Sequence, residues 1–245
     1  MGRKRHRIKP MLCKIADLLT EVPETGGIAP RFTDYLTDET NIADICIHDE
    51  LYNWERLKRL SVEGVAYMES GGQFYRALLD FDGMMLHASA VAVDGKAYLF
   101  SGRSGIGKST HTGLWQQTFG EKVKLFNDDK PALRRLDGEW YAYGTPWSGK
   151  HGININMKVP VAGICFLKRG DRNTIRRLSP VEALPQVLAQ TLRKFNDAER
   201  LSLMLSHVDK LVKEVPMYEL YNRPEPEAAR LSYETMRLGA KEANL

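Results

Sequence analysis

Three cysteines in 245 residues, Cys13, Cys46 and Cys165, are too few and too scattered for a disulfide frame. Their odd number fits reduced thiols, and the expected compartment is the cytoplasm. No uninterrupted apolar run approaches the roughly 20 residues of a membrane span. The basic start (Arg3, Lys4, Arg5, Arg7, Lys9) has the charge of a secretory leader, but Lys14 and Asp17 interrupt Met11 to Leu19 before an apolar core forms, so a solvated tail is expected there. The six histidines include no H-E-x-x-H and no Cys/His cluster, which argues against zinc. A net charge of +4, much of it in those first residues, gives no reason to expect nucleic acid or a membrane as partner. Repeats and low-complexity segments are absent as well.

What remains is an ordinary globular composition, 43% hydrophobic and 27% charged, in a chain long enough for one large domain or one domain with an appendage. From Met11 to Tyr75 short apolar pieces, such as Ile42 to Ile47 and Val62 to Met68, are broken by Gly26-Gly27, Pro30 and Gly71-Gly72. They read as short strands of a small N-terminal β-rich layer, residues 1–75, ahead of a catalytic domain over 76–245. In that second part, Met84 to Val93 and Lys96 to Phe100 flank Asp94-Gly95, whose positive φ angles make a tight hairpin. Asp137-Gly138 joins a second hairpin, and Val161 to Leu167 reads as a central strand. Helical spacing follows over Pro180 to Thr191, Asp197 to Val212 and Glu225 to Leu238, with a strand over Val215 to Leu220.

The first hairpin leads into Gly102-Arg-Ser-Gly-Ile-Gly-Lys-Ser-Thr110, which fits the P-loop (Walker A) pattern G-x-x-x-x-G-K-[ST] at Gly102, Gly107, Lys108 and Ser109. Glycines at that spacing let consecutive backbone N–H groups turn inward around phosphate oxygens. Gly102, Ser104, Gly105, Ile106, Gly107, Lys108, Ser109 and Thr110 are therefore the candidate cradle for ATP. Lys108 would meet the outer phosphates, and the Ser109 hydroxyl would reach Mg²⁺. Strand, glycine loop and helix (Ser109 to Phe119) occur in the order that a phosphate site at a helix N-terminus requires.

After that helix, Lys122 to Phe126 alternates as a half-buried strand and ends in Asn127-Asp128-Asp129-Lys130. The crossover is long enough to set this strand parallel to the one before the loop, so that the two carboxylates emerge beside the nucleotide. Asp128 and Asp129 could divide the work, one facing the metal or its water and the other the acceptor, since neighbouring residues at a strand end point in different directions. Two adjacent carboxylates resist ionisation together unless Mg²⁺ or Lys108 offsets the repulsion. His87, on the first strand of the hairpin, is either structural or part of the site. The glycine-bracketed loop Gly144 to Gly152 offers Trp147, Ser148, Gly149 and Lys150 as a substrate wall or anion holder, or is simply a connection.

His87-Ala-Ser-Ala-Val-Ala-Val, then Gly102 to Thr110, then Asp128-Asp129, resembles the catalytic domain of the HPr kinase/phosphorylase family. The likeness is strongest over Met84 to Asp129. It implies an α/β fold with a mixed-sheet P-loop core of the phosphoenolpyruvate-carboxykinase-like type, with a small N-terminal β-rich layer and C-terminal helices. It also implies ATP bound by Lys108, Mg²⁺ held by Ser109, His87 within the active site, and Asp129 as proton acceptor supported by Asp128. Members often assemble, which implies a homo-oligomer by analogy. Where that family carries a glutamate-arginine-glycine context, this chain reads Gly144 to Gly152, and the family's C-terminal arginine signature has no clear counterpart.

The expected activity is therefore ATP·Mg²⁺-dependent transfer of the γ-phosphoryl group to a hydroxyl, such as a serine or threonine in a small molecule, peptide or protein. Two alternatives stay open: an ATPase or nucleotide switch without acceptor, and a nucleotide-dependent peptide-binding module. The absence of N-K-x-D beyond the loop argues against a GTPase.

Overall fold

The computed structural model describes residues 10–149, 152–192, 195 and 197–242. The chain divides into two units, Met1–Ala77 and Leu78–Leu245.

In the first unit, β1 (Met11–Ile15) and β2 (Leu18–Val22) form a hairpin, and β3 (Ile45–Cys46) adds to β2 in parallel. Ala16 and Asp17 both take positive φ, 53° and 63°, which matches the twist of a two-residue hairpin turn. The segment from Val62, expected as a strand, is instead the helix α1 (Val62–Ala77). Val65, Ala66, Ser70, Gly71, Phe74 and Tyr75 are its buried residues, and that three-to-four spacing is helical rather than alternating. Gly71 and Gly72 therefore lie inside a helix, where each costs about 1 kcal/mol relative to alanine but does not stop the chain.

The second unit is built on a nine-stranded mixed sheet. In chain order its elements are β4 (Gly83–Met85), β5 (Ala88–Val93), β6 (Lys96–Ser101), α2 (Lys108–Phe119), β7 (Lys124–Asn127), β8 (Ala132–Leu136), β9 (Glu139–Tyr143), β10 (Lys158–Arg169), β11 (Thr174–Leu178), α3 (Pro180–Gln190), α4 (Ala198–Glu214), β12 (Met217–Asn222) and α5 (Pro226–Glu242). Strands neighbour in the order β4-β8-β9-β10-β6-β5-β7, with β12 on β10 and β11 on β12. The long β10 runs parallel to both β6 and β12. Both Asp-Gly hairpins form with positive φ at each turn residue, joining Val93 to Lys96 and Leu136 to Glu139.

Met84 to Val93, expected as one strand, is broken at Leu86-His87. The chain changes partners there: β4 pairs with β8, whereas β5 lies between β6 and β7. Alternation along β5 and β6 sends side chains to two cores. Ala88, Ala90, Ala97 and Leu99 pack with Ala183, Val187, Met204 and Val208 of α3 and α4. Val91, Val93, Tyr98 and Phe100 pack with Trp115, Ala229 and Met236 of α2 and α5. Helices thus cover both faces, and chemistry is left to the sheet's edge, where loops emerge. No helix among the described residues is long and apolar enough to cross a membrane.

Candidate active site

Strand register brings three segments to one edge of the sheet. Ala88 pairs with Ser101, and two residues along β5 Ala90 pairs with Asn127. Because β5 is antiparallel to both neighbours, β6 and β7 point the same way and end side by side. The Gly102 loop, the Asp128-Asp129 turn and His87, just before β5, therefore share an edge. The expectation that β7 runs parallel to β6 holds in direction, with β5 between them.

Asn127 fixes the acidic turn. Fully buried, it donates from Nδ2 to Thr145 O at 3.1 Å, while its Oδ1 accepts the backbone N–H groups of Asp129 at 3.1 Å and Lys130 at 2.8 Å. This is an Asx turn, in which a short side chain replaces backbone acceptors. Ala88 N donates to Asp129 O at 3.0 Å, tying the turn to the start of β5.

His87 bridges two elements distant in sequence. Its backbone N donates to Gln190 O at 2.7 Å, its Nδ1 lies 3.1 Å from the Gln190 carboxamide, and its Nε2 lies 3.2 Å from Asp129 Oδ1. A carboxamide presents either oxygen or NH₂ after a half-turn, so Gln190 can serve either protonation state of that nitrogen. Asp129 Oδ2 accepts from Lys130 Nζ. Burial works against the Asp129 charge, yet the hydrogen bond from His87 and the adjacent Lys130 ammonium outweigh it and hold the carboxyl at about 2.

The Gly102–Thr110 segment turns on Gly102, Gly105 and Gly107, with φ of 142°, 75° and 111°. A side chain at any of the three would be strained, and the space beside Gly105 and Gly107 is open. No side chain caps the start of α2, leaving its first-turn amides to other acceptors. Lys108 is buried and donates from Nζ to Gly102 O at 3.1 Å. Burial pushes its ammonium below the usual lysine value, and the charge of Asp129 opposes that fall. Ser104, Gly105, Ser109 and Thr110 are exposed, Ile106 and Gly107 half-buried, and Asp128 buried.

Two cavities adjoin this edge. One of about 310 Å³ is lined by His87, Asp129, Lys130, Gln190 and Thr191 among others. The other, of about 540 Å³, runs from Gly102, Arg103 and Ile106 past Lys168 and Arg169 to Gln186 and Gln190 of α3. Gln190 and Ala189 line both. Arg169 Nη2 donates to Gly105 O at 3.3 Å, pinning the loop to the end of β10. Lys130, Gln190 and Arg169 thus join the site without a motif to announce them. Only Lys130, following the acidic pair, stood beside an expected residue.

Trp147 and Ser148 lie inside the unit, and Ser148 Oγ accepts from Asn154 Nδ2 at 2.9 Å. Gly149 reaches the acidic turn: a Cβ there would come within 2.9 Å of Asp129 Cβ and 3.4 Å of Asp128 Oδ1. Lys150 lies outside the described residues. Among the described residues no three His, Cys, Asp or Glu side chains gather as a metal cage. The exposed Ser109 hydroxyl and the Asp128 carboxylate are the hard oxygen donors that Mg²⁺ accepts alongside phosphate and water.

Among curated proteins none matches this sequence. A solved structure described as the Hpr(Ser) kinase/phosphatase from Coxiella burnetii is 13% identical, with a TM-score of 0.40, covering 64% of this chain and 98% of its own. The family described as ScmC, SynChlorMet cassette protein ScmC, matches residues 57–223, and the chain belongs to that family.

Proposed function

We propose that the second unit is a kinase that moves the γ-phosphoryl group of ATP to a hydroxyl acceptor. One observation carries the reading: the Asp129 carboxylate lies 3.2 Å from His87 Nε2 and its charge acts on the buried Lys108 ammonium, so a group suited to take a proton stands near one suited to grip a phosphate. Under this reading the unit is a P-loop core of the phosphoenolpyruvate-carboxykinase-like type. The glycine turns and uncapped α2 amides cradle the phosphates, and Lys108 leaves Gly102 O for their oxygens. Ser109 and Asp128 would hold Mg²⁺, which would supply neutralisation of phosphate charge there. His87 orients the Asp129 carboxylate, and Asp129 accepts the hydroxyl proton. That proton leaves late in a loose phosphoryl-transfer transition state, so alignment matters more than base strength.

A second reading is hydrolysis without an acceptor, since the glycine turns and Lys108 suit a nucleotide whichever group attacks it. One experiment separates the two. The protein is mixed with γ-labelled ATP, Mg²⁺ and a cell extract, and products are searched for added phosphate by mass spectrometry. A labelled organic product that disappears with Asp129→Asn supports the kinase. Label found in inorganic phosphate alone supports hydrolysis.

A further inference from the structure

The smaller cavity contains a constraint that the proposed reaction does not explain. Both oxygens of Asp129 are engaged, Oδ1 by His87 Nε2 and Oδ2 by Lys130 Nζ. An incoming hydroxyl must therefore displace one of them. His87 is held from its far side by Gln190, through both the ring and the backbone. Lys130 is the movable partner: its side chain is 31% exposed and sits on a flexible four-carbon stem.

We propose that this cavity is the acceptor site and that it takes a small hydroxyl compound carrying an anionic group, with Lys130 as the counter-cation. The inference rests on the kinase reading and names its acceptor class. A volume of about 310 Å³ admits a compound of a few carbons. Charge decides among such compounds. A neutral alcohol competes with an ammonium for Oδ2 and offers Lys130 nothing in exchange. A cationic acceptor takes the place of Lys130 and leaves Asp129 equally unable to accept a proton. An anionic acceptor gives Lys130 an alternative partner to Asp129 within the same cavity, and the ammonium moves onto it.

Oδ2 then opens to the hydroxyl. The acceptor oxygen forms a bond to the γ-phosphorus, the bond from that phosphorus to the β–γ bridging oxygen breaks with its electron pair leaving on ADP, and the hydroxyl proton passes to Asp129 Oδ2. Without an acceptor, Lys130 keeps Oδ2 closed, which also denies a base to water. The same ion pair thus selects the substrate and suppresses hydrolysis.

The test reads binding rather than turnover. Full-length protein with Mg²⁺ and a non-hydrolysable ATP analogue is titrated by calorimetry with glycerol, glycerate and glycerol 3-phosphate. At least one anionic member should bind about tenfold more tightly than its neutral counterpart, the scale of one charge-assisted hydrogen bond. Lys130→Met should remove that preference and Lys130→Arg should keep it. Glycerate against glycerol 3-phosphate tells whether a carboxylate or a phosphate is the preferred anion. The proposal is overturned if no anionic member gains over its neutral partner, or if Lys130→Met retains the gain. It is equally overturned if Lys130→Met weakens only the nucleotide analogue, which would place Lys130 on the triphosphate. Because no phosphate moves in this experiment, its failure is distinct from a failure to detect phosphoryl transfer.

Discussion

His87 Nε2 stands 3.2 Å from Asp129 Oδ1, and His87 is itself tied to Gln190 at the end of α3. The proposed base is therefore oriented by a residue that precedes the glycine loop and by a helix that follows β11. Removing the carboxylate and removing its support should have different consequences. Asp129→Asn should lower phosphoryl transfer by roughly 10²- to 10⁴-fold, the usual worth of a general base. Gln190→Leu, which leaves every transferring group in place, should cost less, up to about 10²-fold through misalignment. Steady-state rates with saturating ATP check both, and a larger loss from Gln190→Leu than from Asp129→Asn would reverse the assignment.

Acid should expose the Asp129 pairing. Its carboxyl is held at about 2, below the ordinary 3.8, so folding is favoured above the ordinary value and that contribution is lost as pH falls from about 4 to about 2. The contribution at neutral pH is of order 2 kcal/mol. Urea unfolding of wild type and Asp129→Asn should differ at pH 6 and converge near pH 2. Parallel curves over that range would show that the pairing adds no stability.

A second acid transition belongs to His111, on the first turn of α2 just past the glycine loop. It is buried among Phe100, Trp115 and Ser232, with Trp115 Nε1 donating to its Nε2 at 3.2 Å. Burial lowers its value to about 3, so the unfolded chain takes up a proton below about 6.5 that the folded chain refuses. Stability should fall by up to about 1.4 kcal/mol per pH unit below 6.5. His111→Gln, which keeps an acceptor for the indole, should flatten Tm against pH between 6 and 4. An unchanged slope would place the transition elsewhere.

Gly144 and Gly149 separate fold from site. A Cβ at Gly144 would lie 1.9 Å from Ile155 O and 2.8 Å from Phe126 O, both backbone atoms, where Ile155 N donates to Phe126 O and holds the loop to β7. Gly144→Ala should therefore cost several kcal/mol of stability, as severe backbone overpacking does. At Gly149, with φ of 79°, the added carbon would press on Asp129 Cβ. Gly149→Ala should cost about 1–3 kcal/mol from backbone strain and a larger share of activity. Equal losses of Tm from the two would contradict this division.

Much of this architecture is readable from local chemistry. Asp94-Gly95 and Asp137-Gly138 predict their hairpins because those residues tolerate positive φ. Ser179 and Glu182 form a capping box that starts α3 where its periodicity begins. The turn at Ala16-Asp17 escapes notice because alanine seldom takes that conformation, and α1 because its glycines mimic a break. In the site, Gly102, Lys108 and Asp129 fall in patterns tied to phosphate chemistry. Gln190 has no pattern of its own: only tertiary packing carries the end of α3 to His87. Likewise, nothing local says that Trp147 and Ser148, in a loop rich in glycine, should be buried.

The central claim is spatial, and a crystal structure with a non-hydrolysable ATP analogue and Mg²⁺ measures it directly. A reacting contact of roughly 3 Å followed by a hydrogen bond of similar length sets the reach between phosphorus and base. The kinase account predicts the γ-phosphorus beside Lys108 and within about 6 Å of an Asp129 carboxylate oxygen, with the smaller cavity open to an acceptor. A nucleotide bound away from the Gly102 loop, or a γ-phosphorus well beyond that reach of Asp129, would contradict it.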